Sequence, residues 1–392
     1  MRLPFRRVLF WCHLICGVTA GVVILIMCVT GVALTYQRQM QSWADTRDYR
    51  AAPAPGAVPA PASTLLAAAR AVDASALPTQ LTYQADPAAP VAVALGARTI
   101  YVNPYTAVVH GDGHGGRMRQ FFSTMTAWHR YLGRAGERRA TGRFFTGLSN
   151  AIFLVVVASG MYLWWPRALT WTQIRGITWF RGGTTAKARD FNWHNTIGFW
   201  SALPLAVVVF SGVVMSYPWA SDMVYRVMGE TPPSQGAARP AGRNPSRDAA
   251  RGIPAASAVD AAIQRARDES PSWTMLTVRL PTAPGAPISV TIDRGGAGQP
   301  QRRRTMSFDA ATGAVERRED FGAQTPGRRL RTLLRFAHTG EVLGVAGQTV
   351  AGAASLGGAF LVYTGLALSA RRLAAWRRRR RRPGLELQDP VP

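Results

Sequence analysis

Hydrophobic residues are not spread evenly along this chain. They gather in four blocks, Val8 to Tyr36, Phe144 to Trp165, Trp193 to Tyr217 and Gly347 to Ser369, each almost free of charge. At about 1.5 Å of rise per residue, a helix needs about 20 apolar residues to cross a bilayer, so each block predicts a transmembrane helix. The first block is too long for a cleavable signal and lacks a small-residue cleavage site, so it is read as a mature span.

Two long polar segments, about 37–143 and 218–346, separate the first span from the second and the third from the fourth. Each opens with a Pro/Ala-rich linker, Pro53 to Pro61 and Pro232 to Pro254, a composition that favours extended or flexible chain. Short amphipathic helix patterns follow at Ser63 to Val72 and Ala256 to Ala266, then alternating strand patterns at Thr99 to Val102 and Thr305 to Phe308. Both strands run into a turn, opened by Asn103 or Asp309 and closed by Thr106 or Thr312. Each segment therefore predicts a small α+β domain of one helix and a few antiparallel strands.

The two halves of the chain repeat. His13, Gly17, Gly31, Val32 and Tyr36 recur 181 residues later as His194, Gly198, Gly212, Val213 and Tyr217. Gly142, Gly147, Gly160 and Arg167 recur 205 residues later as Gly347, Gly352, Gly365 and Arg372. Such a parallel repeat predicts two halves related by a pseudo-two-fold axis along the membrane normal. The expected fold is a membrane all-α four-helix bundle in two pseudo-symmetric halves, carrying two small α+β domains.

Charge changes the picture in one respect. With 46 Lys+Arg against 21 Asp+Glu the net charge is +25, a balance that in a soluble protein would suggest nucleic acid. The four apolar blocks exclude that partner and point to a lipid bilayer. The short flanks then set orientation: Arg2, Arg6 and Arg7, the loop with Arg167, Arg175, Arg181, Lys187 and Arg189, and the tail with Arg371, Arg372 and Arg377 to Arg382 belong on the cytoplasmic side. The long segments then lie in the periplasm of an inner-membrane protein with both termini cytoplasmic. Cys12, Cys16 and Cys28 all fall in the first block, so no disulfide framework is expected, and no CxxCH motif offers covalent haem attachment.

Four of the six histidines sit at span boundaries: His13 and His194 at the cytoplasmic ends of spans one and three, His129 and His338 just before spans two and four. His110 and His114 occupy a Gly-rich loop. A histidine at membrane depth is costly and marks function. His13, His129 and His194 each precede a glycine by four residues, Gly17, Gly133 and Gly198. On a helix these stack on one face, and the glycine leaves room for a flat macrocycle. His338 departs from the pattern, with Gly340 and Gly344 after it. Paired imidazoles from facing helices hold a low-spin b-type haem. Zinc would need three or four ligands together, and neither pair has those partners. The expectation is two non-covalent haem b groups, with His13/His194 and His129/His338 as axial ligands of the iron.

The segments Trp128 to Gly133, Ser159 to Arg167, Ser216 to Ala220 and His338 to Gly344, with the turns Asn103 to Val109 and Asp309 to Val315, resemble the PepSY-associated transmembrane family. The resemblance covers nearly the whole chain up to Arg372. It implies PepSY-like character for the two periplasmic domains and a role in iron acquisition, because some members are similar to di-haem siderophore-iron reductases of the inner membrane. The implied organisation is a helix at 8–36, a PepSY-like domain at 37–127, a His segment with the second helix at 128–165 and a cytoplasmic loop at 166–192. The third helix follows at 193–217, the second PepSY-like domain at 218–335, a His segment with the fourth helix at 336–370 and a basic tail at 371–392.

The resemblance implies an oxidoreductase that reduces ferric siderophores or other ferric chelates, with a quinol or a cytoplasmic flavin reductase as electron donor. The chain has no dinucleotide fingerprint of its own. The alternative is a haem-free binding or regulatory membrane protein accompanying siderophore uptake. Arg130, Arg134, Arg138, Arg139 and Arg143 flank His129, and Arg328, Arg329, Arg331 and Arg335 precede His338. They read either as side chains reaching lipid headgroups or as partners of haem propionates at an electropositive mouth, with Arg130, Arg134 and Arg331 foremost.

Overall fold

The computed structural model describes residues 5–166, 170–182, 185–233, 256–283, 285–296 and 298–380. Arg2, Arg167, most of the second Pro/Ala-rich linker and the end of the arginine run, Arg381 and Arg382, lie outside the described residues.

In chain order the helices are α1 (Phe5–Leu34), α2 (Gln37–Thr46), α3 (Ala62–Val72), α4 (Gly116–Tyr131), α5 (Arg139–Trp164) and α6 (Trp171–Thr178). They continue as α7 (Ala186–Ser216), α8 (Pro218–Val227), α9 (Ala256–Glu269), α10 (Pro326–His338) and α11 (Gly344–Arg380). The strands are β1 (Pro78–Gln84), β2 (Val91–Leu95), β3 (Arg98–Val102), β4 (Val109–Gly111), β5 (Met275–Arg279), β6 (Ile288–Asp293), β7 (Arg303–Phe308) and β8 (Val315–Asp320). They fall into two compact units: a helical unit of Met1–Thr35, Ser123–Tyr217 and Gln348–Pro392, and a sheet unit of Tyr36–Phe122 and Pro218–Gly347.

Among the described residues, four helices are long and apolar enough to cross a membrane: α1, α5, α7 and the helix ending in the basic tail. These are the four hydrophobic blocks. Most of their apolar side chains point outward, as on Phe5, Ile15, Val22, Leu203 and Val207, which suits a lipid-facing surface. The interior is a narrow cluster of Ala20, Ile24 and Cys28 from α1, Phe153 from α5, Leu205 and Val209 from α7 and Ala354 from α11. Helices in lipid gain little from apolar burial against one another, so close approach through small residues holds them together. Gly21 lies against Val362 and Leu366, Gly357 against Ser201, and Gly358 against Cys28 and Leu205. Phe153, whose place 205 residues on is taken by Gly358, reaches to within 3.7 Å of where a Cβ on that glycine would stand. The knob of one half fills the hole of the other, which two copies of either residue could not do.

In the sheet unit all eight strands join one antiparallel sheet, in the order β4-β3-β2-β1-β5-β6-β7-β8. The predicted turns form as expected. Asn103 Oδ1 accepts from the amides of Tyr105 and Thr106, and Thr106 Oγ1 from that of Val108. Asp309 Oδ1 accepts from Ala311 and Thr312, and Thr312 Oγ1 from Ala314. One face of the sheet is apolar, with Leu81, Val93, Ile100, Val278, Val290 and Phe308 fully buried, and it is covered by Leu65 and Ala69 of α3 and Val259, Ala262 and Ala266 of α9.

The expectation of two separate small domains is corrected here. Strand β1 from the first long segment pairs with β5 from the second, with Leu81 opposite Val278 and Thr82 opposite Thr277. Each half alone would leave an unpaired strand edge, and pairing the two edges removes both. The two covering helices are also tied across the halves, since Asp260 of α9 accepts from the Ala62 amide and the Ser63 hydroxyl at the start of α3.

Close approach in the bundle gives a direct test. An alanine at Gly358 would place its Cβ 2.8 Å from Cys28 Sγ, and overpacking of this kind costs about 1–3 kcal/mol. Gly358→Ala should lower the unfolding temperature in detergent, and adding Cys28→Ala should restore most of the loss. A double variant no more stable than Gly358→Ala alone would rule out this contact as the limit on helix approach.

Candidate cofactor site

His13 on α1 and His194 on α7 occupy the third turn of their helices. The close packing of the bundle brings them together: their ring centroids lie 6.4 Å apart and the ring planes cross at 87°. A second helix grips each ring. His13 Nδ1 lies 3.0 Å from Ser159 Oγ on α5, and His194 Nδ1 lies 2.9 Å from Thr364 Oγ1 on α11. In both cases the next residue is glycine. A Cβ on Gly160 would stand 3.2 Å from His13 Cε1, and one on Gly365 3.4 Å from His194 Cε1. The histidines are 181 residues apart and the hydroxyl–glycine pairs 205 apart, so the side-chain contacts repeat with the sequence.

The spacing tests what this pair could hold. A nitrogen ligand stands about 2 Å from its metal, so two imidazoles bracketing one metal have ring centres roughly 6 Å apart. The observed separation fits a single ion held between two rings. Zinc wants three or four ligands, and among the described residues no three His, Cys, Asp or Glu side chains gather. A haem needs only two axial ligands and supplies the other four itself. Room for a flat group exists one turn along from each ring. A Cβ on Gly17 would meet nothing within 4 Å, and one on Gly198 only Leu361 Cδ2 at 3.6 Å.

His129 lies near the end of α4 within the helical unit. Its Nδ1 is 3.0 Å from both Thr30 Oγ1 and the Met27 carbonyl of α1. Gly133 does not extend the glycine pattern. Helix α4 ends at Tyr131, and Gly133 takes a left-handed φ of 72° in the turn that follows, with the Trp128 indole 3.0 Å from where its Cβ would stand. It terminates the helix rather than opening a face beside His129. His338 is the last residue of α10 and belongs to the sheet unit.

Both histidine-bearing helices start on a carboxylate. Asp45 Oδ1 accepts from the Gly115 amide ahead of α4, and Glu230 accepts from the Gly327 amide and the Thr325 hydroxyl at the start of α10. An anion there complements the helix dipole. Both helices are followed by a glycine that admits a backbone carbonyl: a Cβ on Gly142 would strike the Tyr131 carbonyl, and one on Gly347 the Gly340 carbonyl. His110 and His114 stand apart in the sheet unit, each 4.9 Å from the Tyr49 ring. Burial, and then the carboxylates of Asp48, Asp112 and Asp45, hold the Tyr49 hydroxyl above its ordinary pKa.

The arginines divide. Arg130 and Arg134 are exposed, with the Arg130 guanidinium 5.3 Å from the Tyr131 ring centre. Arg331 is half-buried against α8 and donates from Nε to Ser221 Oγ at 2.9 Å. Burial lowers its pKa, opposed by nearby Tyr225.

Sequence reasoning missed Thr30, Ser159 and Thr364 as partners of the rings. The signal available was a hydroxyl followed by glycine at the same place in both halves, at 159–160 and 364–365. The change from serine to threonine hid it.

A comparison with curated proteins finds no match. The family profile described as the PepSY-associated TM region matches residues 10–372. With the four long apolar helices, this makes the chain a membrane protein, and it belongs to the PepSY-associated TM family.

Proposed function

We propose that this protein holds two b-type haems and carries electrons across the bacterial inner membrane to ferric siderophores, or other ferric chelates, on the periplasmic side. The observation that carries this reading is the 6.4 Å spacing of His13 and His194, brought together from equivalent positions of the repeat. Family membership and the four apolar helices support the membrane setting.

His13 and His194 would hold the cytoplasmic-side haem, and His129 and His338 would hold the periplasmic-side haem. An iron held by two imidazoles is a one-electron carrier whose potential is tuned by its surroundings. The rest falls to the chain's own residues. Gly17 and Gly198 leave the flank of the first pair open, and Ile24, Phe153, Leu205 and Val209 keep the middle of the bundle apolar. Electrons come from a quinol or a cytoplasmic flavin reductase. Reduction of a ferric chelate weakens its hold, because hard oxygen ligands bind Fe(II) less well than Fe(III). Basic side chains at one end of the spans, including Arg6, Arg175, Arg189 and Arg371, support cytoplasmic termini.

Purified protein should show low-spin b-type absorbance with two haems per chain. His13→Ala and His194→Ala should remove the same haem, and His129→Ala and His338→Ala the other. Loss of both haems on any single change would refute the pairing, and a colourless protein would favour the haem-free binding role.

Orientation is checked separately. Reporters fused after Arg175 and after Arg380 should read cytoplasmic, and reporters near Gly96 or Gly295 periplasmic. A cytoplasmic signal at Gly96 would overturn the topology.

The exposed Arg130 and Arg134 beside His129 make its surroundings electropositive and draw anionic ferric chelates. Neutralising Arg130 and Arg134 together should slow oxidation of the reduced protein by an anionic chelate several-fold at low salt, and by a neutral chelate much less. Stopped-flow rates across a salt series decide this. Equal rates with both chelates and no salt dependence in the wild type would leave these arginines as headgroup anchors.

A further inference from the structure

We infer that Ser159 and Thr364 are positioning residues that fix which nitrogen of His13 and His194 faces the iron and hold the two rings at right angles. This rests on the haem reading above and deepens it.

A hydroxyl has one hydrogen to donate. Ser159 Oγ donates it within its own helix, to the Val156 carbonyl at 3.1 Å. Thr364 Oγ1 has the carbonyl of Phe360 at 2.8 Å or that of Leu361 at 3.2 Å to donate to. A hydroxyl that gives its hydrogen to a carbonyl of its own helix offers only a lone pair to the ring nitrogen facing it, and that nitrogen then donates. This arrangement assigns the proton of His13 and of His194 to Nδ1 and leaves Nε2 of each with a bare lone pair, which is what a metal requires. His129 shows the same arrangement. Its Nδ1 faces the Met27 carbonyl, which can only accept, and Thr30 Oγ1, whose hydrogen goes to the Ile26 carbonyl at 2.6 Å or to that of Met27 at 3.1 Å. Three rings thus share one tautomer.

The hydroxyl and the glycine after it act together. The hydroxyl holds Nδ1, and Gly160 or Gly365 admits the adjoining Cε1, where a methyl group would crowd the ring. Each ring is thereby fixed about its own axis as well as in its tautomer. Because the grip comes from α5 for one ring and from α11 for the other, the planes are set independently, and they cross at 87°.

Two consequences follow for an iron between them. Crossed imidazole planes leave two of the iron d orbitals nearly equal in energy, which gives a strongly anisotropic low-spin EPR signal with one dominant low-field feature. Parallel planes would give a rhombic three-line signal. A hydrogen bond from Nδ1–H also makes Nε2 a stronger donor, which favours the ferric state and lowers the midpoint potential.

The test uses the full chain in detergent, with low-temperature EPR and optical redox titration of the wild type, Ser159→Ala, Thr364→Val, Ser159→Thr and Thr364→Ser. The wild type should show the strongly anisotropic signal for one haem. Ser159→Ala and Thr364→Val should move that signal toward the rhombic form and raise the potential of that haem alone. Ser159→Thr and Thr364→Ser keep the hydroxyl and should retain both wild-type properties. Loss of that one haem in the variants without a hydroxyl, with retention in those that keep it, supports the same assignment. Wild-type EPR and potential in Ser159→Ala and Thr364→Val would overturn it. Absence of haem absorbance from the wild type would instead defeat the haem reading itself.

Discussion

Everything in the helical unit depends on how closely its helices approach. In lipid, burial of apolar surface does not press one helix against another, because the surroundings are as apolar as the helices. Closeness has to come from small residues at the contact. Gly21, Gly357 and Gly358 provide it, and Phe153 fills the space that Gly358 leaves. That approach places His13 and His194 within reach of a single metal ion. A bundle held a few ångströms wider would keep the same histidines and part their rings beyond the span of one metal ion.

The repeat serves the helical unit and the sheet unit differently. In the bundle it duplicates a grip: a histidine on one helix, a hydroxyl and a glycine on the next, twice over. A duplicated unit supplies two ligands of the same kind, which suits a cofactor bound on two opposite sides. Phe153 against Gly358 shows where the halves had to diverge, because identical residues there would either clash or leave a void. In the sheet unit the repeat closes a strand edge, with β1 of one half pairing with β5 of the other.

The four spans were legible because length and lack of charge alone define them. The two turns were legible because Asn103 and Asp309 each carry a side chain that can satisfy the turn's own amides. The union of the strands into one sheet was not, since β1 and β5 carry ordinary alternating patterns and nothing in a strand's sequence names a partner almost two hundred residues away. At the site, His13 and His194 stood out through their common offset. Ser159 and Thr364 did not, because hydroxyls in membrane helices commonly bond to their own backbone, as these also do. Gly133 misled for a local reason: the helix ends before reaching it, so its spacing from His129 has no helical meaning.

Electron transfer through this chain can be followed in sealed vesicles. Protein reconstituted with a membrane-impermeant reductant trapped inside should reduce a ferric siderophore supplied only outside, seen as ferrous iron captured by an external chromogenic chelator. Vesicles carrying His13→Ala should fall to the level of protein-free vesicles. Ferrous iron formed no faster with the wild-type protein than in protein-free vesicles, although the protein is inserted and folded, would mean that this chain does not carry electrons across the bilayer.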